Sequence, residues 1–288
     1  MWLASGTTRA VPLCRFRLMM DLLRRPILML ASIACTSLGS AHAVLQAEEV
    51  CGQPRETATI AKVRGMEQIT LADGRTVRLA AIEPPHARPS PGRGARAIER
   101  AADTLLQDSL VGSKVTLSGT KTPDRHGRLV VQVATEDGSW IQKMLVAQGL
   151  VRVMPLVGQT DCVGELLAAE ANARARGQGL WALSEFAPRS AEGTRALLER
   201  LDRYEIVAGT IRDVSSTKRL TYLNFGDDWR TDFTVALTAD AREDLERRGF
   251  TMESLAGRPI RVRGFIERRN GPMVTVDVAE QVEFVPKQ

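Results

Sequence analysis

Residues 57–82 read TATIAKVRGMEQITLADGRTVRLAAI. Thr57 to Val63 alternates as a strand does. Gln68 to Leu71, the Asp73-Gly74 pair and Thr76 to Ile82 read as a β-hairpin, because Asp-Gly supplies the positive-φ corner that a tight turn needs. Four prolines then follow, Pro84, Pro85, Pro89 and Pro91, with Gly92 and Gly94, and mark an irregular loop. Beyond it, Ile98, Ala101, Ala102, Leu105 and Leu106 fall at helical spacing and predict a helix over 95–110. Val115 to Ser118 and Leu129 to Val133 are strands on either side of a polar loop, Asp124-Arg125-His126-Gly127-Arg128.

After the Asp137-Gly138 turn, Ser139 and Gln142 stand at capping-box spacing for a helix through Ala147. Gly149 ends that helix, and Leu150 to Met154 reads as a further strand. An Ala-rich helix over 161–176 stops at Gly177 and Gly179, ahead of Trp181, which is read as a packing residue. A strand-rich front, one helix, a strand pair and two late helices suit a five-stranded antiparallel barrel of the OB-fold type. The chain is therefore read as mainly β with helices, with this barrel over 57–183. A partly helical linker follows over 184–203, and a second β-rich region over 204–288. Ile206 to Val214, Leu220 to Phe225, Asp232 to Leu237, Ile260 to Ile266 and Met273 to Val278 are its candidate strands, with a charged helix over 239–248. Five strands with one inserted helix predict a second small OB-like β-barrel.

The formal net charge of +5 suggests a polyanionic partner, but residues 1–43 carry five Arg and one Asp, so the remainder is nearly neutral. Global charge thus gives little support to non-specific steering of nucleic acid. Residues 1–43 read as a signal peptide. Arg24 and Arg25 form the basic front, Pro26 to Thr36 the apolar run, and Ala41-His42-Ala43 the small-x-small cleavage site. A run this short predicts no transmembrane domain in the mature chain, and export to a periplasm or beyond. Residues 44–56 are a tail carrying Cys51. Cys51 and Cys162 are the cysteines left after the leader, an even pair in an oxidising compartment. Either they form a disulfide, worth about 3–5 kcal/mol on loop entropy, or they are two separately buried thiols.

Several segments together carry a resemblance: Gly65-Met66-Glu67-Gln68-Ile69-Thr70-Leu71, Val77-Arg78-Leu79-Ala80-Ala81-Ile82-Glu83-Pro84-Pro85-His86, Asp124 to Leu129, Leu145 to Leu150, and Glu170 through Trp181. In this order and spacing, residues 57 to 182 resemble the staphylococcal-nuclease (thermonuclease) family. The resemblance implies a metal site at Glu67 and Glu83, each a Glu where the family carries Asp. Oxygen ligands suit calcium or another divalent cation, although no cofactor is firmly implied. The extra methylene moves each oxygen by roughly 1 Å, which is enough to loosen a site. His86 stands where the family has the carboxylate proposed to activate water. Arg78 and Arg128 match the pair that grips phosphate and offsets transition-state charge. His126 stands where a phosphate-contacting Tyr is common. Arg78, His86 and Arg128 are thus the candidate catalytic residues, and Arg78, Arg128 and His126 the candidate phosphate ligands. The plainer reading leaves both arginines as structural partners of Glu67 or Glu83.

The rear region resembles a segment that follows degenerate thermonuclease-like domains in exported bacterial proteins, through Tyr222 to Gly226, Asp232 to Val235, Val262 to Gly264, Asn270 to Met273 and Glu280 to Glu283. Its Tyr222, Phe225, Trp229 and Phe233, interleaved with Arg219, Arg230, Arg261 and Arg263, read either as a stacking platform or as core plus a solvated face. Three functions follow. One is a degenerate module that binds single-stranded nucleic acid or nucleotides. Another is an active divalent-metal nuclease with His86 as base. The third is an envelope module with a protein partner.

Overall fold

The computed structural model describes residue 52, residues 55–85 and residues 92–286. The leader over 1–43, Cys51 and His86 lie outside the described residues. Strand β1 (Arg55–Val63) is followed by β2 (Ile69–Leu71), β3 (Thr76–Leu79) and β4 (Ile82–Glu83). Ile60 and Val63 are both buried although three apart, which a regular two-residue alternation forbids. A register shift between Ile60 and Lys62 against β2 resolves this, since an inserted residue turns the strand over. Helix α1 (Arg93–Leu110) then buries Ala95, Ala102, Leu106 and Leu110, one face at helical spacing. Strands β5 (Lys114–Gly119) and β6 (Leu129–Thr135) complete a closed barrel of order β1-β2-β3-β6-β5.

The expected five-stranded OB-like barrel is therefore present, with one difference. Strands β3 and β6 pair parallel, not antiparallel, because α1 carries the chain over the barrel before β5 and β6 begin. Helix α2 (Ile141–Ala147), strand β7 (Arg152–Val153) and helix α3 (Val163–Ala175) follow. The capping box expected at Ser139 is not formed. Gln142 is fully buried, with Oε1 accepting from Val133 N–H and Nε2 donating to the Val131 carbonyl, which ties α2 to β6. The Leu150–Met154 strand shrinks to β7, which pairs antiparallel with β4 outside the barrel. Trp181 is partly buried against Ala95, Leu180 and Phe186.

The stretch read as a linker also contributes structure: strand β8 (Arg189–Ser190) and the short helix α4 (Thr194–Leu198). Then come β9 (Tyr204–Thr210), β10 (Asp213–Ser216), β11 (Leu220–Asn224), β12 (Thr234–Thr238), α5 (Ala239–Arg247), β13 (Pro259–Phe265), β14 (Glu267–Arg269), β15 (Gly271–Val276) and β16 (Val282–Phe284).

These do not close into the second barrel that the sequence suggested. They form two open sheets, β10-β11-β12-β15-β14 and β16-β13-β9-β8. Closure needs an edge of one sheet to bond to an edge of the other. Here β8 takes the outer edge of β9 and β16 takes the outer edge of β13. Ile266 separates β13 from β14, so consecutive strands enter different sheets. One core draws on both, including Val207, Ile260 and Val262 from one sheet and Leu223, Val235, Val274 and Val276 from the other. Among the described residues no helix is long and apolar enough to cross a membrane.

Candidate functional site

The parallel pairing of β3 with β6 sets Val77 opposite Leu129 and Arg78 opposite Val130. Val77 and Leu79 point into the barrel and are buried, which turns Arg78 outward, half-buried. Continuing the register puts Arg128 opposite Thr76, on the same side of the pleat as Arg78. Arg78, Glu67 and Glu83 all line one cavity of about 550 Å³. The structure thus brings together three of the residues singled out by the sequence.

Arg128 does not line that cavity. Its Nε and Nη2 donate to Asp124 Oδ2 at 3.1 and 2.9 Å, and its Nη1 donates to the Glu67 carbonyl at 3.1 Å. The Glu67 carboxylate is further off, at 3.9 Å, and half exposed to solvent. Arg128 therefore straps the 124–128 loop to the turn that carries Glu67, and its fork is already occupied. His126 is exposed on that loop, where its Nε2 accepts from Arg125 Nε at 3.1 Å.

Burial pushes the Asp124 carboxyl upward, but the Arg128 N–H, the Arg128 guanidinium and the His126 N–H outweigh it and bring it down to about 2. A carboxylate depressed below its free value of about 3.9 adds stability above that pH, and the contribution disappears as pH falls towards 2. The Asp124 carboxyl carbon is accordingly expected to titrate near pH 2 by NMR. A midpoint near that of free aspartate would show that the strap is absent in solution.

The cavity's other wall comes from beyond the barrel. Phe186, Arg200, Tyr204 and Phe265 line it, together with Arg152 from β7. Lining charges are balanced, five arginines against five carboxylates, so pairing decides which remain available. Glu205 is taken by Arg200 at 2.6 Å and Arg189 at 3.6 Å. Arg78 makes no ion pair with a described residue.

A buried network holds the two walls together around Val153. Glu170 of α3 accepts the Val153 N–H at 2.8 Å, while the Val153 carbonyl accepts from Tyr204 Oη at 2.8 Å and Arg263 Nη1 at 3.1 Å. Glu170 and Arg263 are 0% and 1% exposed, and Oε2 lies 2.7 Å from Nη1. That contact is an ion pair without hydrogen-bond alignment, since Nη1 donates to the carbonyl instead. Arg263 Nη2 reaches Glu283, which also meets Arg174 and Arg261. Burial raises the Glu283 carboxyl, but those three arginines prevail and hold it below the usual carboxylate range. Burial pushes the Tyr204 phenol well above its ordinary value, so it serves here as a neutral donor.

The stacking platform considered for the rear region is not assembled. Phe225 and Phe233 are core residues with centroids 5.1 Å apart, Arg263 and Arg261 are paired as above, and Trp229 is exposed with Arg230 over its ring. Sequence reasoning missed Arg152, Phe186, Tyr204 and Phe265. The one available signal was an arginine inside the apolar run Leu150 to Met154, because a short buried strand tolerates a charge only where something receives it.

Among the described residues no three His, Cys, Asp or Glu side chains gather as a metal cluster. Cys162 is buried and disulfide-bonded. No curated protein matches the chain. One family model does, described as Staphylococcal nuclease homologue, over residues 76–183. That span takes in Arg78, Glu83, Arg128 and Arg152, while Glu67 precedes it. A staphylococcal-nuclease-like domain is therefore present in this chain, and it supplies one wall of the cavity described above, including Arg78, Glu83 and Arg152.

Proposed function

We propose that the chain is an exported binding module for single-stranded nucleic acid or nucleotides, which grips phosphate at Arg78 and cleaves it poorly or not at all. The observation that carries this is Arg78 itself: half-buried, turned into a cavity beside Glu67 and Glu83, and without an ion pair to any described residue. A planar guanidinium fork in a partly desolvated recess favours phosphoryl oxygens. Arg128 acts on the site indirectly, by setting the turn that presents Glu67. The carboxylates Glu67 and Glu83 share their recess with Arg78 and Arg152, whose charge opposes a cation, so the donor set favours an anion over a divalent metal. Calcium chemistry at Glu67 and Glu83 remains an arm of the test. Export is supported by the leader-like residues 1–43 and by the disulfide at Cys162, for which Cys51 is the proposed partner.

The test is a titration of the full chain with a fluorescent oligothymidine lacking terminal phosphates, at low salt, where phosphate contacts are strongest. Arg78→Ala is expected to weaken binding about tenfold, equivalent to about 1.4 kcal/mol, with the circular dichroism spectrum unchanged. Wild-type protein that binds no strand, or binds it equally well after the substitution, would sink this reading. The same samples with calcium, magnesium or manganese are expected to leave the strand intact. Metal-dependent cleavage lost in Arg78→Ala would mean an enzyme instead.

A further inference from the structure

Arg152 of β7 lines the inner part of the cavity. Its side chain is 5% exposed, with its guanidinium carbon 5.1 Å from the Tyr204 ring centroid and 5.4 Å from that of Phe186. Its Nε is buried without a hydrogen-bond partner. Glu83 is its direct neighbour across the β4–β7 ladder, yet the two form no ion pair. Glu205 is committed to Arg189 and Arg200, and the Tyr204 hydroxyl to Val153. Among the described residues no carboxylate stands within ion-pair distance of the Arg152 guanidinium.

An unpaired buried cation is unfavourable, and two aromatic faces recover only part of the cost. The arrangement persists because β7 is clamped on both sides of the Val153 peptide, by Glu170 on its N–H and by Tyr204 and Arg263 on its carbonyl. Arg152 is thus held in a desolvated recess, where an oxyanion would gain most from a charged fork.

We propose that Arg152 is an anion-binding residue that receives a terminal phosphate, the phosphomonoester at the end of a strand or nucleotide, while Arg78 nearer the mouth takes a phosphodiester. This rests on the reading of the cavity as a phosphate site, and adds to it a preference for ends. The geometry favours an end because a group reaching a side chain 95% removed from solvent cannot continue as a strand on its far side. Charge favours it too: a phosphomonoester brings close to two negative charges where a diester brings one.

The experiment compares binding of the full chain to oligothymidines bearing a 5′-phosphate, a 3′-phosphate or neither, with inorganic phosphate as competitor. Wild-type protein is expected to bind one phosphorylated end at least tenfold more tightly than the bare strand, and inorganic phosphate to erase that difference. Arg152→Met is expected to abolish the preference while keeping affinity for the bare strand, which Arg78 supplies. Should Arg152→Met fail to fold, Arg152→Lys keeps the charge but loses the fork, and its preference is expected to fall at least threefold. Equal binding of all three strands by wild type overturns the assignment of Arg152 alone, as does a preference that survives the substitutions. Absence of any strand binding overturns both this proposal and the reading on which it rests.

Discussion

Arg263→Met is expected to cost about 3–5 kcal/mol of stability, the range for removing one partner of a buried ion pair. Three groups lose a contact at once, and among the described residues Glu170 is left with Arg174 at 3.5 Å as its sole ion-pair partner. Glu170, 0% exposed, loses its 2.7 Å contact, the Val153 carbonyl loses one donor, and Glu283 loses one of its three arginines. For a chain of this size the loss corresponds to a drop of about 6–20 °C in Tm. A thermal melt followed by circular dichroism reads it directly. The double variant Glu170→Gln with Arg263→Met is expected to recover part of the loss. It removes both charges together and still offers an amide oxygen to the Val153 N–H. A loss under about 1 kcal/mol for the single variant would place the pair among solvent-screened ones, which its burial contradicts. Because the same network fixes β7, the melt also reports on the support beneath Arg152.

Gly149→Ala is the second large effect, expected at about 2–5 kcal/mol. Gly149 has φ +65°, and a Cβ there would stand 2.2 Å from the Gln178 carbonyl oxygen. Gly179 mirrors it with φ +57° and a Cβ position 2.2 Å from the Gly149 carbonyl oxygen. Between them the Leu180 N–H donates to the Gly149 carbonyl at 2.8 Å. The left-handed backbone alone costs an L-residue about 1–2 kcal/mol, and forcing two backbones apart adds about 1–3 kcal/mol. Gly112→Ala separates the two contributions, since Gly112 has φ +78° with nothing within 4 Å of its Cβ position. Urea denaturation is expected to show Gly149→Ala at least 1 kcal/mol worse than Gly112→Ala. Equal losses would mean the chain relaxes around the contact, and that close approach was not the reason for glycine.

What could be read from the sequence was local. Strand alternation with the Asp73-Gly74 turn marked the front hairpin, helical spacing from Ile98 to Leu106 marked α1, and glycines 149, 177 and 179 marked helix ends. Each of those signals depends on neighbours a few residues apart, which backbone geometry alone dictates. The family-like segments likewise led to Arg78, Glu67 and Glu83, which do share a cavity. Tertiary structure decided what pairs at a distance. Strand alternation does not say which edge a strand will meet, so it could not show that β8 and β16 would occupy the edges a second barrel needed. Spacing could not show that Arg128 would spend its fork on Asp124, because that depends on how the loop folds back. Nor could it single out Arg152: an arginine in a short apolar run becomes a buried cation only when Phe186, Tyr204 and Val153, distant in the chain or fixed by distant partners, close around it.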